Sequence, residues 1–488
     1  MNSLFEKLVE YRQSNIYPMH MPGHKRNETI CNMPNPYSLD ITEIDGFDNL
    51  HDAKDIIKES MDLACKLYGS KETFYLINGS TSGLIAGIMA ATNKGDKVLV
   101  ARNSHKSVYN AVYLHELHAE YLYPEMVSEF GFYGALRFNE VQEKLNLHPD
   151  TKLIIITSPT YEGVVSDIKS IVTLAHQKNI PVLVDEAHGA HLGFHPYFPT
   201  SAIKNNADII IQSIHKTMPA FTQTALLHYN SNLIARDRIA KYLQMIQSTS
   251  PSYLLMASID QCIQLIWKEK SKLFNLFYLR MEQFYRTTSV LKVLRIILKG
   301  EIEKEENGES IAFDPSKIVI STAKAGISGI ELYHILLQEY GIQLEMYSMN
   351  YVIGMTSIAD TEEGICYFAR VLLEIDQKLS STGTTTKRLS TNSLIKLDHH
   401  IYELPKMKKK YDSFETDSMS QEVVPVSKSM NRVCTEFIYV YPPGIPVLVP
   451  GEIISAEFIH CYNEYKRLNL EIKGLVGKEA DFIKVTKE

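Results

Sequence analysis

The sequence has few cysteines, and they are not arranged as a site. The chain of 488 residues contains six of them, and none forms the closely spaced pair typical of zinc-binding or redox motifs. Scattered cysteines at this low density predict neither a disulfide framework nor a metal centre, so we expect no metal ion. The six are Cys31, Cys65, Cys262, Cys366, Cys434 and Cys461.

The sequence also lacks long apolar runs and an excess of positive charge. Its longest apolar runs have the length of a strand, and the first residues, Met1–Lys7, contain no apolar core like that of a signal peptide. The formal net charge is −7. These absences argue against a membrane protein and against nucleic acid as a partner, and they predict a cytoplasmic protein.

What the chain does contain is an alternation of strand-like and helix-like segments. With 45% hydrophobic residues, a chain of this length can bury more than one core. The pattern predicts an α/β protein with an N-terminal arm (1–52), a large domain (53–285), a smaller α/β domain (286–378), a polar linker (379–421) and a C-terminal domain (422–488). The arm lacks clear periodicity, as expected of a segment that wraps around a partner subunit.

One strand ends in a serine, a histidine and a lysine. The isoleucine-rich run Asp208–Gln212 is followed directly by Ser213, His215 and Lys216. Such a short apolar run predicts an interior strand of a parallel sheet, and the carboxyl end of such a strand is where α/β proteins bind ligands. A partly desolvated lysine there has a lowered pKa, and its neutral amine can form a Schiff base. The alternative is a lysine paired with a carboxylate.

A second strand of the same kind ends in an acidic residue. Pro181–Val184 runs directly into Asp185, and the chain between Asp185 and Lys216 is long enough for one crossover helix. The two side chains can therefore lie at the same edge of one sheet. Pyridoxal phosphate needs a lysine at its aldehyde carbon and a carboxylate at its pyridinium nitrogen. Asp185 is therefore a candidate for the second role, with a helix N-cap as the alternative.

A cluster of hydroxyls offers a place for the phosphate. The strand-like Thr73–Ile77 leads into a glycine- and serine-rich turn, and a helix-like segment follows. Backbone N–H groups at a helix N-terminus, with hydroxyls beside them, bind a dianion. Ser80, Thr81 and Ser82 are therefore candidate phosphate ligands, although most such clusters are plain loops.

Two histidines fit the same site. His105 follows the strand-like Lys97–Val100, where its imidazole can stack on the cofactor ring; a structural histidine is the alternative. His188 follows Asp185 closely and is assigned to the cofactor site as well.

These motifs resemble those of the bacterial ornithine/lysine/arginine decarboxylases, fold type I pyridoxal-phosphate enzymes, in their shorter form without an N-terminal wing domain. The resemblance runs nearly from end to end, and seven motifs in the family's order are specific. They lie at His20–Lys25, Asp40–Glu43 with Asp48–His51, Asn103–Ser107, Ser158–Gly163, Asp185–His191, Ser213–Lys216 with Thr222–Thr224, and Tyr441–Pro446 with Pro450–Glu452.

The resemblance implies a role for each candidate residue. Lys216 would be the Schiff-base lysine, Asp185 the pyridinium partner and His105 the ring-stacking residue. The phosphate would be held by Ser80, Thr81, Ser213 and His215. The large domain would have the mainly parallel sheet of the aspartate aminotransferase-like fold.

The implied activity is decarboxylation of a basic amino acid, which gives a polyamine or its precursor and carbon dioxide. Family members of this length favour arginine or lysine as substrate, and ornithine is a third candidate. Glu345 would lie near the distal cation of the substrate, with an exposed strand-end carboxylate as the alternative. His215 or the freed Lys216 would return a proton to the α-carbon, and the sequence does not choose between them.

Two other functions stay open. Aminotransferases share the lysine and the aspartate, but they commonly hold the α-carboxylate with an arginine of the small domain, and residues 311–378 contain a single arginine, Arg370. The other alternative is a catalytically inactive regulatory homologue, although every expected cofactor residue is present. The resemblance also implies a homodimer, or an assembly of dimers, with each active site at the interface.

Overall fold

The computed structural model describes residues 3–30, 32–127, 130–306, 309–381, 406–441, 445–467, 471–477 and 481–487. The N-terminal arm begins with helix α1, Leu4–Gln13, and strand β1, Tyr17–Met19. Although the arm lacks clear periodicity in the sequence, a capping box starts α1. The Ser3 hydroxyl accepts from the backbone of Glu6, and the Glu6 carboxylate accepts from the backbone of Ser3. No side chain of α1 is buried.

The middle of the chain alternates strands and helices. Its helices, α2 to α9, are Ile56–Tyr68, Gly79–Ala91, Lys106–Leu114, Phe138–Leu147, Ile168–Gln177, Ile214–Thr217, Arg236–Ile246 and Tyr253–Thr288. Its strands, β2 to β11, are Glu72–Leu76, Lys97–Ala101, His118–Leu122, Met126–Val127, Phe132–Tyr133, Thr151–Thr157, Val164–Val165, Val182–Asp185, Ile209–Gln212 and Ala225–Tyr229. Seven of these strands form one sheet in the order β2-β11-β10-β9-β7-β3-β4.

This central sheet is parallel except at β11. Strand β11 runs antiparallel to both neighbours, β2 and β10, and the other neighbouring pairs are parallel. The strands are apolar on both sides because both faces are covered. Ile209 and Ile211 belong to the core on one face, and Ile210 belongs to the core on the other. The mainly parallel sheet expected from these strands is confirmed.

The carboxyl ends of three neighbouring strands meet at one edge of the sheet. Asp185, at the end of β9, is level with Thr157 of β7 and with Ile211 of β10. Lys216 lies just beyond β10, in the single-turn helix α7. The fold therefore brings Asp185 and Lys216 to the edge at which parallel sheets bind ligands.

A second α/β unit follows helix α9. Its helices, α10 to α12, are Lys299–Ile302, Gly329–Tyr340 and Glu362–Ser381. Its strands, β12 to β18, are Arg295–Ile296, Lys304–Glu306, Glu309–Phe313, Lys317–Ser321, Ile342–Leu344, Met346–Tyr347 and Tyr351–Met355. Four of them form a sheet in the order β12-β15-β18-β17. The boundary predicted near residue 285 falls in the last turn of α9.

The arm and the central unit are both tied to this second unit. Strand β1 pairs in parallel with β16, with Tyr17 opposite Ile342. Strand β14 pairs with β8, which belongs to the middle of the chain. The second unit is therefore anchored to the first at more than one place.

The last part of the chain forms a small unit with its own core. Its strands, β19 to β23, are Gln421–Pro425, Ile438–Tyr441, Pro446–Leu448, Glu471–Lys473 and Phe482–Thr486, and its helix α13 is Ala456–Arg467. The predicted linker falls largely on 382–405, and the predicted Pro-Pro-Gly turn on 442–444; both segments lie outside the described residues. Before β19, Met407 and Thr416 are buried.

A buried ion pair joins this C-terminal unit to the central sheet. Arg102 follows β3, and its Nη2 lies 3.2 Å from Oε2 of Glu452, with both side chains fully buried. The guanidinium also donates to the carbonyl of Pro446 and to the hydroxyl of Tyr109. Because a buried charge is tolerated only when it is paired and hydrogen-bonded, this contact holds the C-terminal unit against the strand that leads to His105.

Candidate active site

A cavity of about 270 Å³ opens at the carboxyl edge of the central sheet. Five of the predicted site residues line it: Ser80, His105, Asp185, His188 and Lys216. They come from four separate segments, since Asp185 and His188 share one, and the order of the strands brings them together.

The amine of Lys216 faces this cavity. Helix α7 turns the chain directly after β10, and the Nζ atom lies 3.0 Å from Nε2 of His188. Burial lowers the pKa of Lys216, against the opposing effect of the negative charges of Asp185 and Glu345. A lowered pKa increases the fraction of neutral amine, which is the form that attacks a carbonyl carbon.

The carboxyl group of Asp185 lies in the wall of the same cavity. The residue is 3% exposed, and burial raises its pKa while the charge of Lys216 lowers it. Among the described residues, the carboxylate accepts one hydrogen bond, from the backbone N–H of Ala187 at 3.2 Å. Since a carboxylate can accept several hydrogen bonds, Asp185 retains capacity for a cationic group in the cavity.

The start of helix α3 forms another part of the wall. The hydroxyl of Ser213 donates to that of Ser80 at 2.9 Å, which links the start of α3 to the end of β10. The helix lies close to the sheet because Gly83 has no side chain: a Cβ atom there would lie 2.5 Å from Cδ1 of Leu76. The N-terminus of α3 is thus held beside the cavity, where its N–H groups suit an anion.

The other residues assigned to the phosphate have different surroundings. Ser82 is buried and donates to the carbonyl of Gly79 at 2.7 Å, whereas Thr81 is exposed at the same turn. His215 places Nδ1 2.7 Å from the carbonyl of Thr224 and lies outside the cavity wall. Burial lowers the pKa of His215 to about 4, so its ring is neutral at pH 7.

His105 presents a neutral ring to the cavity. It is the N-cap of α4, and its Nδ1 accepts from the backbone N–H of Ser107 at 3.3 Å. Partial burial and the charge of Lys216 lower the pKa of His105 to about 4. An uncharged, flat imidazole at the end of β3 is suited to stacking on an aromatic ring.

His188 lies between two lysines. Its Nε2 is 3.0 Å from Nζ of Lys216, and its Nδ1 is 3.0 Å from Nζ of Lys317. Burial and the positive charges of both lysines lower the pKa of His188 well below its usual range. His191, in the same motif, lies away from the cavity, and its Nε2 lies 3.1 Å from Oδ1 of Asp314.

Glu345 lies directly behind the cavity wall. Its Oε1 accepts from the hydroxyl of Tyr161 at 2.5 Å, and its Oε2 accepts from the backbone N–H of Met21 at 2.8 Å. Tyr161 and Met21 line the cavity. The charge of Glu345 is close enough to raise the pKa of Lys216, so it contributes to the field in the cavity.

Sequence reasoning gave no role to several residues at or beside the cavity: Tyr133, Tyr161, Glu162, Lys317 and Ile445. Tyr161 and Glu162 belong to a recognised motif, 158–163. The sequence therefore indicates that this segment is functional, but it does not indicate the roles of the two residues. Glu162 is buried, accepts from the Tyr351 hydroxyl at 2.9 Å and has a pKa raised by burial. Ile445 likewise belongs to a recognised motif, 441–446, whereas no recognised motif contains Tyr133 or Lys317.

The described residues contain neither a metal-binding cluster nor a membrane-spanning helix. Within them, no group of three or more histidine, cysteine, aspartate and glutamate side chains is placed to hold a metal ion. None of the helices in the same ranges has both the length and the apolar character needed to cross a bilayer.

The groups at the cavity match the requirements of pyridoxal phosphate. Lys216 supplies an amine for the aldehyde, and Asp185 supplies a carboxylate with unused acceptor capacity for the ring nitrogen. Ser80 and the start of α3 supply donors for a dianion. These residues therefore fit this group.

Comparison with known proteins agrees with this chemistry. The family described as Orn/Lys/Arg decarboxylase, major domain, matches residues 2–364, and its C-terminal domain matches residues 397–471. An arginine decarboxylase of Bacillus subtilis (strain 168) is 31% identical over 491 residues, which cover 99% of this chain and 98% of the relative. An arginine decarboxylase of Halalkalibacterium halodurans is 30% identical over 495 residues, which cover 99% of this chain and 97% of the relative.

Solved structures share the fold. A lysine decarboxylase of Francisella novicida superposes with a TM-score of 0.78 at 19% identity, over 99% of this chain and 80% of that chain. A ureidoglycine-glyoxylate aminotransferase of Bacillus subtilis superposes with a TM-score of 0.56 at 12% identity, over 75% of this chain and 94% of that chain. The likeness confirms the fold type I architecture expected from the sequence. Because the family models match most of the length of this chain, the chain belongs to the Orn/Lys/Arg decarboxylase family.

Proposed function

We propose that this protein is a cytoplasmic, pyridoxal-phosphate-dependent decarboxylase of a basic amino acid, with arginine or lysine favoured and ornithine as a third candidate. The products would be carbon dioxide and a polyamine or its precursor. The observation that carries the proposal is the position of Asp185 and Lys216, on adjacent strand ends in the wall of one cavity. Full-length relatives named arginine decarboxylase support the substrate class.

Each residue of the site then has a defined task. Pyridoxal phosphate, when bound, would supply an acceptor for the electron pair left when carbon dioxide departs. Lys216 would hold its aldehyde, and Asp185 would keep a proton at its ring nitrogen. Ser80 would bind the phosphate, and His105 would pack on the ring.

The cavity favours one of the two predicted proton donors. Lys216 faces the cavity, whereas His215 is turned towards the carbonyl of Thr224 and lies outside the wall. We therefore assign the return of a proton to the α-carbon to Lys216 after its displacement.

Product analysis with each of the three amino acids tests the proposed function. The purified protein with added cofactor is expected to convert at least one of arginine, lysine and ornithine into the amine that lacks the carboxyl group, as measured by mass spectrometry. Norleucine, which has no distal cation, serves as the control and should be converted poorly. Formation of a keto acid would indicate an aminotransferase, and no conversion of any substrate would indicate an inactive homologue.

The arginine that an aminotransferase would need is not at the cavity. Arg370 is exposed on helix α12, and its guanidinium lies over the ring of Tyr367 at 5.6 Å. Within this chain, therefore, the single arginine of 311–378 does not clamp a substrate carboxylate. This arrangement favours decarboxylation.

Replacement of Glu345 by glutamine tests how the distal cation is recognised. If the carboxylate attracts that cation, kcat/KM should fall by about one to two orders of magnitude, because a charge-assisted hydrogen bond contributes roughly 1.5–3 kcal/mol. Most of the loss should be a raised KM, since the contact is equal in ground and transition states. Steady-state kinetics with the preferred substrate measure it.

A matched control makes this result specific. Glu339→Gln makes the same chemical change on the exposed side of α11 and should leave KM unchanged. A Glu345→Gln protein that treats charged and uncharged side chains as the wild type does would show that Glu345 has no part in selectivity.

We also propose that the protein is a homodimer or an assembly of dimers. Leu4, Phe5 and Leu8 on helix α1 are 76%, 74% and 58% exposed, and Ile44 and Phe47 of the arm are about half exposed. Apolar side chains grouped in this way are stabilised when a second surface covers them. Light scattering at assay concentration should give a mass at least twice the 55.5 kDa of one chain. A fully active monomer would contradict this proposal.

A further inference from the structure

Lys317 is a buried lysine that the proposed reaction does not use. It is the first residue of β15, has no exposed surface, and lies outside the cavity wall. Within the described part of the chain, the hydrogen-bond partner of its Nζ is Nδ1 of His188, at 3.0 Å. Burying an amine in this way is unfavourable, which calls for a function that compensates for it.

The contact with Lys317 determines where His188 carries its proton. A neutral imidazole has one N–H group and one lone pair. Because the pKa of Lys317 is about 8, its Nζ is mostly charged at pH 7 and can only donate, so the lone pair lies on Nδ1 and the proton on Nε2. Nε2 in turn lies 3.0 Å from Nζ of Lys216. An N–H group at that position needs an acceptor, and the neutral amine of Lys216 is one.

We infer that Lys317 is a positioning residue that acts through His188 to hold Lys216 as the neutral amine. The chain of contacts is Lys317 to His188 to Lys216, with two distances of 3.0 Å. The inference deepens the proposed function and rests on it, since it takes Lys216 as the reactive amine. Lys317 itself touches neither substrate nor cofactor.

The charges around the three side chains are consistent with this role. Burial lowers the pKa of Lys317 to about 8, so at pH 7 it is mostly charged and able to donate. The acidic groups that act on the three side chains are Asp185, Asp314, Glu162 and Glu345. The basic groups are Lys25, His105 and His215. The ring of Tyr161 lies 4.7 Å from that of His188.

Removing Lys317 should favour the opposite state of Lys216. Without a donor at Nδ1, His188 can carry its proton there and accept at Nε2 from a protonated Lys216. Loss of the neighbouring positive charge acts in the same direction. Both effects stabilise the ammonium form of Lys216, so its pKa should rise.

Competitive acetylation of the full-length chain, freed of small molecules, measures the pKa of Lys216 directly. The peptide containing Lys216 is quantified by mass spectrometry across a pH series, with the exposed Lys204 as internal reference. Lys317→Met is expected to raise the pKa by about one unit, which lowers labelling about tenfold at pH values below it. Lys317→Arg keeps a charged donor and should retain the wild-type profile.

A double-mutant comparison separates this role from a general effect of charge. In a His188→Gln background, Lys317→Met should shift the Lys216 profile clearly less than in the wild-type background, because the residue that transmits the hydrogen-bond effect is missing and only the direct effect of the lost charge remains. An equal shift in both backgrounds, or no shift in the wild-type background, would overturn the inference. If Lys317→Met does not fold, His188→Gln alone still tests it: the amide can accept from the ammonium, so the pKa of Lys216 should rise, and an unchanged pKa would overturn the inference.

Decarboxylation assays of the same proteins distinguish a failure of the proposed function from a failure of the positioning role of Lys317. Labelling that changes as expected in a protein that converts none of the three amino acids would contradict the proposed function and support the positioning role. A protein that decarboxylates a basic amino acid, but whose Lys216 profile does not respond to Lys317→Met, would contradict the positioning role alone.

Discussion

Replacement of Lys216 by alanine is expected to abolish decarboxylation, with kcat falling by about four orders of magnitude or more. The variant loses the amine that attaches the cofactor, and no other lysine lines the described wall of the cavity. The fold should survive, because Lys216 is partly exposed at the end of β10 rather than packed in the core. Kinetics and circular dichroism of the same preparation measure both properties.

The variant should also be at least as stable as the wild type at neutral pH. The pKa of Lys216 in the folded protein is lower than its ordinary value of 10.5, which applies to the unfolded chain. At a pH between the two pKa values, the unfolded chain therefore binds more protons than the folded protein. Stability therefore rises with pH through this range, and below it the charged lysine opposes folding. Thermal unfolding at pH 7 and pH 10 measures this effect. At the higher pH, the stability of the wild type should increase relative to that of Lys216→Ala.

Lys216→Arg is the matched control for charge. It keeps a cation on a long side chain, but its guanidinium stays protonated and cannot act as a neutral nucleophile. Both variants should be inactive. Substantial turnover by either one, in protein with a normal circular dichroism spectrum, would place the reactive amine elsewhere.

Asp185→Asn is expected to reduce kcat by about 10²–10³-fold, as does the loss of other preorganised charges in active sites. An amide cannot supply the negative charge that holds a proton at the ring nitrogen, so the cofactor accepts electrons less well. Attachment through Lys216 and the start of α3 should persist. The absorbance spectrum of the bound cofactor and single-turnover rates measure the two effects separately.

Glu186 provides a matched control for this variant. It is the next residue, is equally buried, and lies outside the cavity wall, where Ser201, Ala202 and Gln212 donate to its carboxylate. Glu186→Gln makes the same chemical change and should leave the cofactor spectrum close to that of the wild type. Unchanged turnover in Asp185→Asn, or an equal loss in both variants, would contradict the assigned role of Asp185.

The parts of the fold that could be predicted from the sequence depend on local patterns. A strand buried on both faces has to be apolar at every position, so Ile209–Gln212 is recognisable without knowledge of its neighbours. The polar residues that follow such strands lie at one known edge of the sheet. For this reason the sequence predicts that Asp185 and Lys216 lie together. The capping box of α1 is a local pattern of the same kind, formed by Ser3 and Glu6.

The residues that could not be predicted depend on contacts between distant segments. Lys317 reaches His188 because β15 lies across from the motif that contains Asp185, and nothing near Lys317 in the sequence indicates this contact. Ile445 reaches the cavity from the C-terminal unit, and the motif 441–446 that contains it gives no indication of this contact. The family resemblance implies that Glu345 lies near the distal cation of the substrate, but only the fold shows that its carboxylate binds the Tyr161 hydroxyl and the backbone of Met21, which line the cavity.

The ion pair between Arg102 and Glu452 also constrains how the protein can be synthesised. The two residues are 350 positions apart, and a ribosome adds about 5–20 residues per second, so Arg102 is made roughly 20–70 s before its partner. During this time the guanidinium has no carboxylate to accompany it into the interior, and the nascent chain must keep the end of β3 hydrated. A polypeptide that ends before residue 452 therefore leaves the buried guanidinium of Arg102 without its carboxylate partner.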